Sequence, residues 1–71
     1  MRRIPASLKP TGVLIVRAWF DSGQQSVLLR VVTKPDITTD EEGSRVFSSV
    51  HEAMEFSSAW LEDFARKATA P

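Results

Sequence analysis

Residues 12–20 read GVLIVRAWF, nine residues with a single charge. The run is rich in β-branched and aromatic residues, so it reads as a strand from about Val13 to Phe20. Side chains alternate across a strand. One face is then Leu14, Val16, Ala18 and Phe20, and the other is Val13, Ile15, Arg17 and Trp19. Both are largely apolar, so the strand needs cover on two sides. No other feature of the chain constrains its fold as strongly.

Length sharpens that demand. A chain of 71 residues makes one domain and buries only roughly 60% of the surface its unfolded form exposes. Chains below about 70–80 residues usually draw on a disulfide, a metal or a partner subunit. There is no cysteine, and one histidine, His51, cannot build a multi-histidine site within a single chain. Tight packing or self-association remains, and neither a cofactor nor a metal is expected.

DSGQQS, residues 21–26, is a turn cluster in which Gly23 is expected to take the positive φ. A second strand follows from Val27 to about Lys34, closed by Pro35. PDITTDEEGS, residues 35–44, reads as a loop, and residues 44–48 as a short third strand. Residues 1–10 read as a flexible basic arm, 11–68 as the domain and 69–71 as a disordered tail.

The C-terminal segment is helical on four counts. At about 100° per residue from Val50, one stripe collects Val50, Ala53, Met54, Ser57, Trp60, Leu61, Phe64, Ala65 and Ala68, with Phe56 at its margin. Ser49 with Glu52 three residues on forms a capping box. Glu62–Arg66 and Asp63–Lys67 are i,i+4 pairs in the favourable order. Arg66 and Lys67 suit the negative end of the helix dipole. The stripe is expected to bury itself against the sheet.

The expected fold is therefore α+β: a small antiparallel β-sheet, two long strands plus one short, packed against one C-terminal α-helix, ββ(β)α. If Phe20 faces Val27, the helix covers Leu14, Val16, Ala18, Phe20, Val27, Leu29 and Val31, and Ala18 leaves room for Trp60. The open face then carries Val13, Ile15, Arg17 and Trp19 with Leu28, Arg30, Val32 and Lys34. In that register Arg17 lies opposite Arg30, an unfavourable cross-strand pair that an anion between them would relieve. A two-residue slip would separate them, and a glycine bulge at the turn would swap the second strand's faces.

Several chemistries find no support. Ser49, His51 and Glu55 lie close in sequence, but Ser49 is the expected cap, and His51 and Glu55 share the solvent face of the helix. Asp36, Asp40, Glu41 and Glu42 lack the spacing of a calcium loop. No phosphate-binding glycine loop, dinucleotide fingerprint or zinc-protease motif occurs. An enzyme is not expected.

Net charge is zero but uneven: residues 1–34 hold six basic groups and one acid (+5), and residues 35–71 three basic groups and eight acids (−5). The halves can compensate each other, or a basic surface can serve an acidic protein partner. No stretch approaches the ~20 apolar residues of a membrane span. The basic start lacks a signal-peptide core, and Arg2 stands where N-myristoylation needs glycine. A cytoplasmic protein without membrane attachment is the expectation.

Function is then expected on the open sheet face. Val13, Ile15, Trp19 and Val32, rimmed by Arg17 and Arg30, have the composition of a binding surface, and a homodimer through that face would cover them. Arg17 and Arg30 would lie at the rim or pair with acids such as Glu41 or Glu42. Arg17, Trp19, Arg30 and Lys34 could instead hold single-stranded nucleic acid by stacking and phosphate contact. The face could also be covered within one chain by the arm (Ile4, Leu8) or the acidic loop (Ile37).

The pattern VRAWF … SSVHEAMEFSSAWLEDF, residues 16–20 and 48–64, resembles short bacterial proteins of uncharacterised function common in high-GC genomes. They carry a Trp in the first strand and a WL-x-x-F ending on a C-terminal helix, matched here by Trp19 and by Trp60, Leu61 and Phe64. The resemblance spans residues 13–64 and implies the strand–hairpin–strand–helix layout. It implies no activity and no site.

Overall fold

The computed structural model describes residues 10–69. Strand β1 (Val13–Asp21) and strand β2 (Ser26–Lys34) form a hairpin, β3 (Gly43–Phe47) follows, and helix α1 (Val50–Ala68) closes the chain. The sheet is antiparallel in the order β1-β2-β3. The expected ββ(β)α architecture is the one found, with both long strands one residue longer at the turn. Most of the expected arm, and the expected tail beyond Thr69, lie outside the described residues.

The register is the one in which Phe20 faces Val27 and Arg17 faces Arg30. Pairing runs without a bulge from Val13↔Lys34 to Asp21↔Ser26, so neither the slip nor the parity swap occurs. The turn corrects one expectation. No described glycine has a positive φ, and the left-handed residue is Gln25 (φ 56°). The strands pair right up to Asp21 and Ser26, leaving a four-residue connection whose last position takes the left-handed backbone. Gly23 instead donates its N–H to Asp21 Oδ1 (3.0 Å). Gln25→Gly should therefore raise stability by about 1 kcal/mol at most. Gly23→Ala should be neutral or gain about 0.4–1 kcal/mol, because its Cβ would meet Asp21 Oδ1 at an ordinary 3.4 Å. A thermal melt in which Gly23→Ala is the more damaging of the two would contradict this assignment.

Helix α1 starts where the capping signal places it. Ser49 is extended (φ −128°, ψ 127°), and its hydroxyl accepts from the Glu52 N–H (3.2 Å). At the other end Lys67 pairs with Asp63 (3.1 Å) as expected, but Arg66 turns to Asp63 (2.9 Å) rather than to Glu62. Hydrogen bonding from Lys67, reinforced by Arg66, holds the Asp63 carboxyl below the usual aspartate value.

The core is small. Leu29 and Val31 of β2 meet Ala53 of α1, with Leu14, Phe47 and Phe56 packed around them. Ala53 and Ser57 let the helix approach closely. Ser57 is buried, and its hydroxyl is satisfied by donation to the Ala53 carbonyl (2.8 Å). The helix lies over β2 and β3, not over the whole sheet.

That placement buries only part of the expected helix stripe (Ala53, Ser57) and of the expected inner sheet face (Leu29, Val31, with Leu14 packed on them). Val50, Met54 and Leu61 are exposed on the helix, and so are Val16, Phe20 and Val27 on the sheet face that α1 was expected to cover. Trp60 does not reach Ala18, which stays exposed. It stacks on Phe64 (centroids 5.7 Å apart) and packs over Gly12 at the far end of the sheet. The physical reason is the width of the stripe. From Phe56 round to Ala65 the apolar arc covers roughly 180° at 100° per residue, and one sheet contact accommodates a stripe nearer 100° wide. Part of the arc is left over.

Candidate interaction surfaces

Residues paired across a sheet share a face, so the register assembles the first surface. Val13, Ile15, Arg17 and Trp19 stand beside Lys34, Val32, Arg30 and Leu28. The third strand adds Ser44 and Val46 through Val32↔Ser44 and Arg30↔Val46. Every residue singled out on the open face from sequence is therefore on it. Val46, half exposed, was not foreseen there, because its placement depends on the β2–β3 register. Ile15 is the most exposed apolar residue of this face at 53%. Trp19 and Val32 are half-buried among their neighbours.

The Arg17–Arg30 opposition is eased within the chain. The Arg17 guanidinium lies over the Trp19 ring (5.5 Å to its centroid). Arg30 turns the other way and donates to Ser44 Oγ (3.1 Å). The two charges diverge, so no bridging anion is needed to keep the register. Neither forms an ion pair with Glu41 or Glu42, and the ion pairs among the described residues all lie along α1. Arg17, Arg30 and Lys34 thus give this face a positive character with no ion pair among the described residues, moderated at Lys34 by the nearby Asp36 carboxylate.

The acidic loop does not fold over the face. The Ile37 N–H donates to the Thr11 carbonyl (3.1 Å), tying the loop to the start of β1, and the Ile37 side chain stays exposed. Asp36 is engaged locally: the hydroxyl and backbone N–H of Thr38 both donate to it and hold its carboxyl below the usual range. The possibility involving Ile4 and Leu8 lies outside the described residues.

The second surface was not anticipated. It lies on the helix side of the sheet, beside α1. Phe56 projects toward β3, with its ring 5.5 Å from Phe47 and the Arg45 guanidinium over it at 5.1 Å. At 100° per residue, Met54 and Leu61 point to the opposite flank of the helix, away from β3. On the inner face of β1 only Leu14 packs on the core, while Val16 and Ala18 are exposed and Phe20 is 61% exposed. The exposed helix flank and the exposed strand face together leave an open apolar cleft. Its floor is Val16, Ala18, Phe20 and Val27, and its wall is the flank of α1: exposed Val50 and a groove lined by Met54, Ser57, Ser58, Leu61, Glu62 and Ala65. The only sequence signal for it was the excess width of the helix stripe.

Two further features belong to the fold itself. His51 is on the solvent face, as its spacing implies, with Nε2 3.2 Å from Glu55. A depression of ≈ 200 Å³ between Pro10, Pro35, Trp60 and Phe64 is below the about 300–1,000 Å³ of small-molecule sites. No described helix is long and apolar enough to cross a membrane. Comparison with protein-family models, curated proteins and solved structures gives no match.

Proposed function

We propose that this chain is a non-enzymatic interaction module of the cytoplasm whose first partner is a second copy of itself. One observation carries the reading. Among the described residues the buried apolar core is Leu29, Val31 and Ala53, while ten large apolar side chains are exposed. Apolar burial contributes roughly 25 cal/mol per Å², and backbone ordering alone costs about 1–2 kcal/mol per residue. A core this small leaves the isolated chain close to the balance point. Association transfers exposed groups out of water and adds what the monomer lacks.

Two surfaces can serve. The open sheet face, with Val13, Ile15, Trp19 and Val32 as anchors and Arg17 and Arg30 at the rim, is the one marked by the sequence. The cleft beside α1 is the other. Light scattering at two concentrations tests the reading. A mass of twice 7.9 kDa that dissociates on dilution is expected, with melting temperature rising with protein concentration. A well-folded monomer at every concentration would end the proposal.

A second reading is favoured by one specific observation. Arg17, Arg30 and Lys34 share a face with Trp19 and have no carboxylate paired to them among the described residues. That face suits an anion, either an acidic protein partner or single-stranded nucleic acid stacked on the indole. A single-stranded oligonucleotide should quench the fluorescence of a Trp60→Phe variant, which reports Trp19 alone, and the effect should fall steeply with salt. Unchanged emission at low salt would exclude the nucleic-acid form of the reading.

A further inference from the structure

We infer that the second copy docks in the cleft between α1 and β1, not on the open sheet face. The inference rests on the self-association proposed above and assigns its surface. The cleft contains six of the ten exposed large apolar side chains: Val16, Phe20, Val27, Val50, Met54 and Leu61. The open face contains three, Val13, Ile15 and Val46.

Charge separates the two surfaces further. A two-fold contact sets each face against itself. On the open face it would bring two Arg17–Arg30 pairs together in a partly desolvated layer, and like charges brought together are repelled. The cleft carries less of that cost, because the one charged side chain lining its helix groove is Glu62, against two arginines on the open face.

Shape agrees with composition. The exposed strip of β1, Val16 to Phe20, lies on the helix side of the sheet, where α1 sits on β2 and β3. A two-fold axis along the cleft lays α1 of each protomer over β1 of its partner. The two helices then pack along their Met54–Leu61 flanks. The leftover half of the apolar arc becomes the dimer contact, and the sheets become the outer layers of a sheet–helix–sheet sandwich. The six side chains leave roughly 400–500 Å² in water per protomer, so two clefts supply on the order of 1,000 Å² before their neighbours are counted, the lower limit for a specific interface. In this arrangement both open faces point outward, and Arg17, Arg30 and Lys34 stay available to an anionic partner.

The experiment compares Leu61→Glu with Ile15→Glu by light scattering and circular dichroism. Ile15→Glu should remain a dimer. Leu61→Glu should weaken self-association on the order of a hundredfold or more, because it places an unpaired carboxylate in the contact. Loss of folding in the Leu61→Glu chain is controlled by mixing it with Leu61→Lys, which should restore both the dimer and the helical signal. A Leu61→Glu chain that stays dimeric overturns the inference, and so does a mixture that stays dissociated. Dissociation by Ile15→Glu alone returns the contact to the open face and leaves self-association standing. A wild-type monomer removes both proposals.

Discussion

Leu29→Ala is expected to unfold the chain. Leu29 is 5% exposed and stands at the centre of the sheet, paired with Ala18 on one side and Phe47 on the other. It is one of two β2 side chains that contribute to the buried cluster with Ala53. Truncating a buried leucine costs about 2–5 kcal/mol, the transfer term plus the cavity left behind. A single core in a chain of this length supplies about 3–5 kcal/mol in total. The loss therefore matches or exceeds what is available, and far-UV circular dichroism should lose its helical signal at ambient temperature. Val46→Ala, half exposed on β3, removes a similar amount of hydrocarbon and should change stability by about 0.5 kcal/mol or less. Near-equal effects of the two variants would show that the small cluster is not what holds the chain.

Gly12→Ala is expected to cost about 1–3 kcal/mol, the usual range for overpacking a filled site. A Cβ at Gly12 would lie 3.0 Å from the Lys34 carbonyl oxygen, 3.0 Å from Phe64 Cε1 and 3.1 Å from Trp60 Cη2. The first neighbour is backbone at the end of the β1–β2 ladder, where Val13 pairs with Lys34. The other two are stacked on each other, so neither ring can withdraw without disturbing its neighbour. The added methyl must lift the end of α1 off the sheet or fray the first pair of the hairpin. In a Trp19→Phe background the emission of Trp60 should move to the red as the indole gains water, together with a lower unfolding midpoint. An unchanged midpoint and an unchanged spectrum would show that α1 is not seated on Gly12.

These expectations expose what local pattern can and cannot convey. The four elements were readable because strand alternation and helical period depend only on neighbouring residues. The start of α1 was readable because Ser49 and Glu52 are three residues apart in the chain. The open face was readable because strand parity assigns Val13, Ile15, Arg17 and Trp19 to one side wherever the sheet ends up. The role of Gly12 was not, because the rings it accommodates come from residues about fifty positions away. The turn's left-handed residue was misplaced for a milder form of the same reason. It depends on how far the two strands stay paired, and a glycine is not required where Gln25 can take that backbone itself.

By itself the sequence determined which surfaces are apolar: both sides of β1 and an arc of α1 too wide for one contact. Only the tertiary structure decided which part of each is buried. Hydrophobic transfer scales with area and has no direction, so a wide stripe does not specify which of its flanks turns inward. Shape made that choice. Small Ala53 and Ser57 let α1 settle closely on Leu29 and Val31, Gly12 admitted Trp60 and Phe64, and Phe56 found Phe47 on β3. Together these seat the helix on the β2–β3 side and leave Val16, Phe20, Met54 and Leu61 facing water along β1.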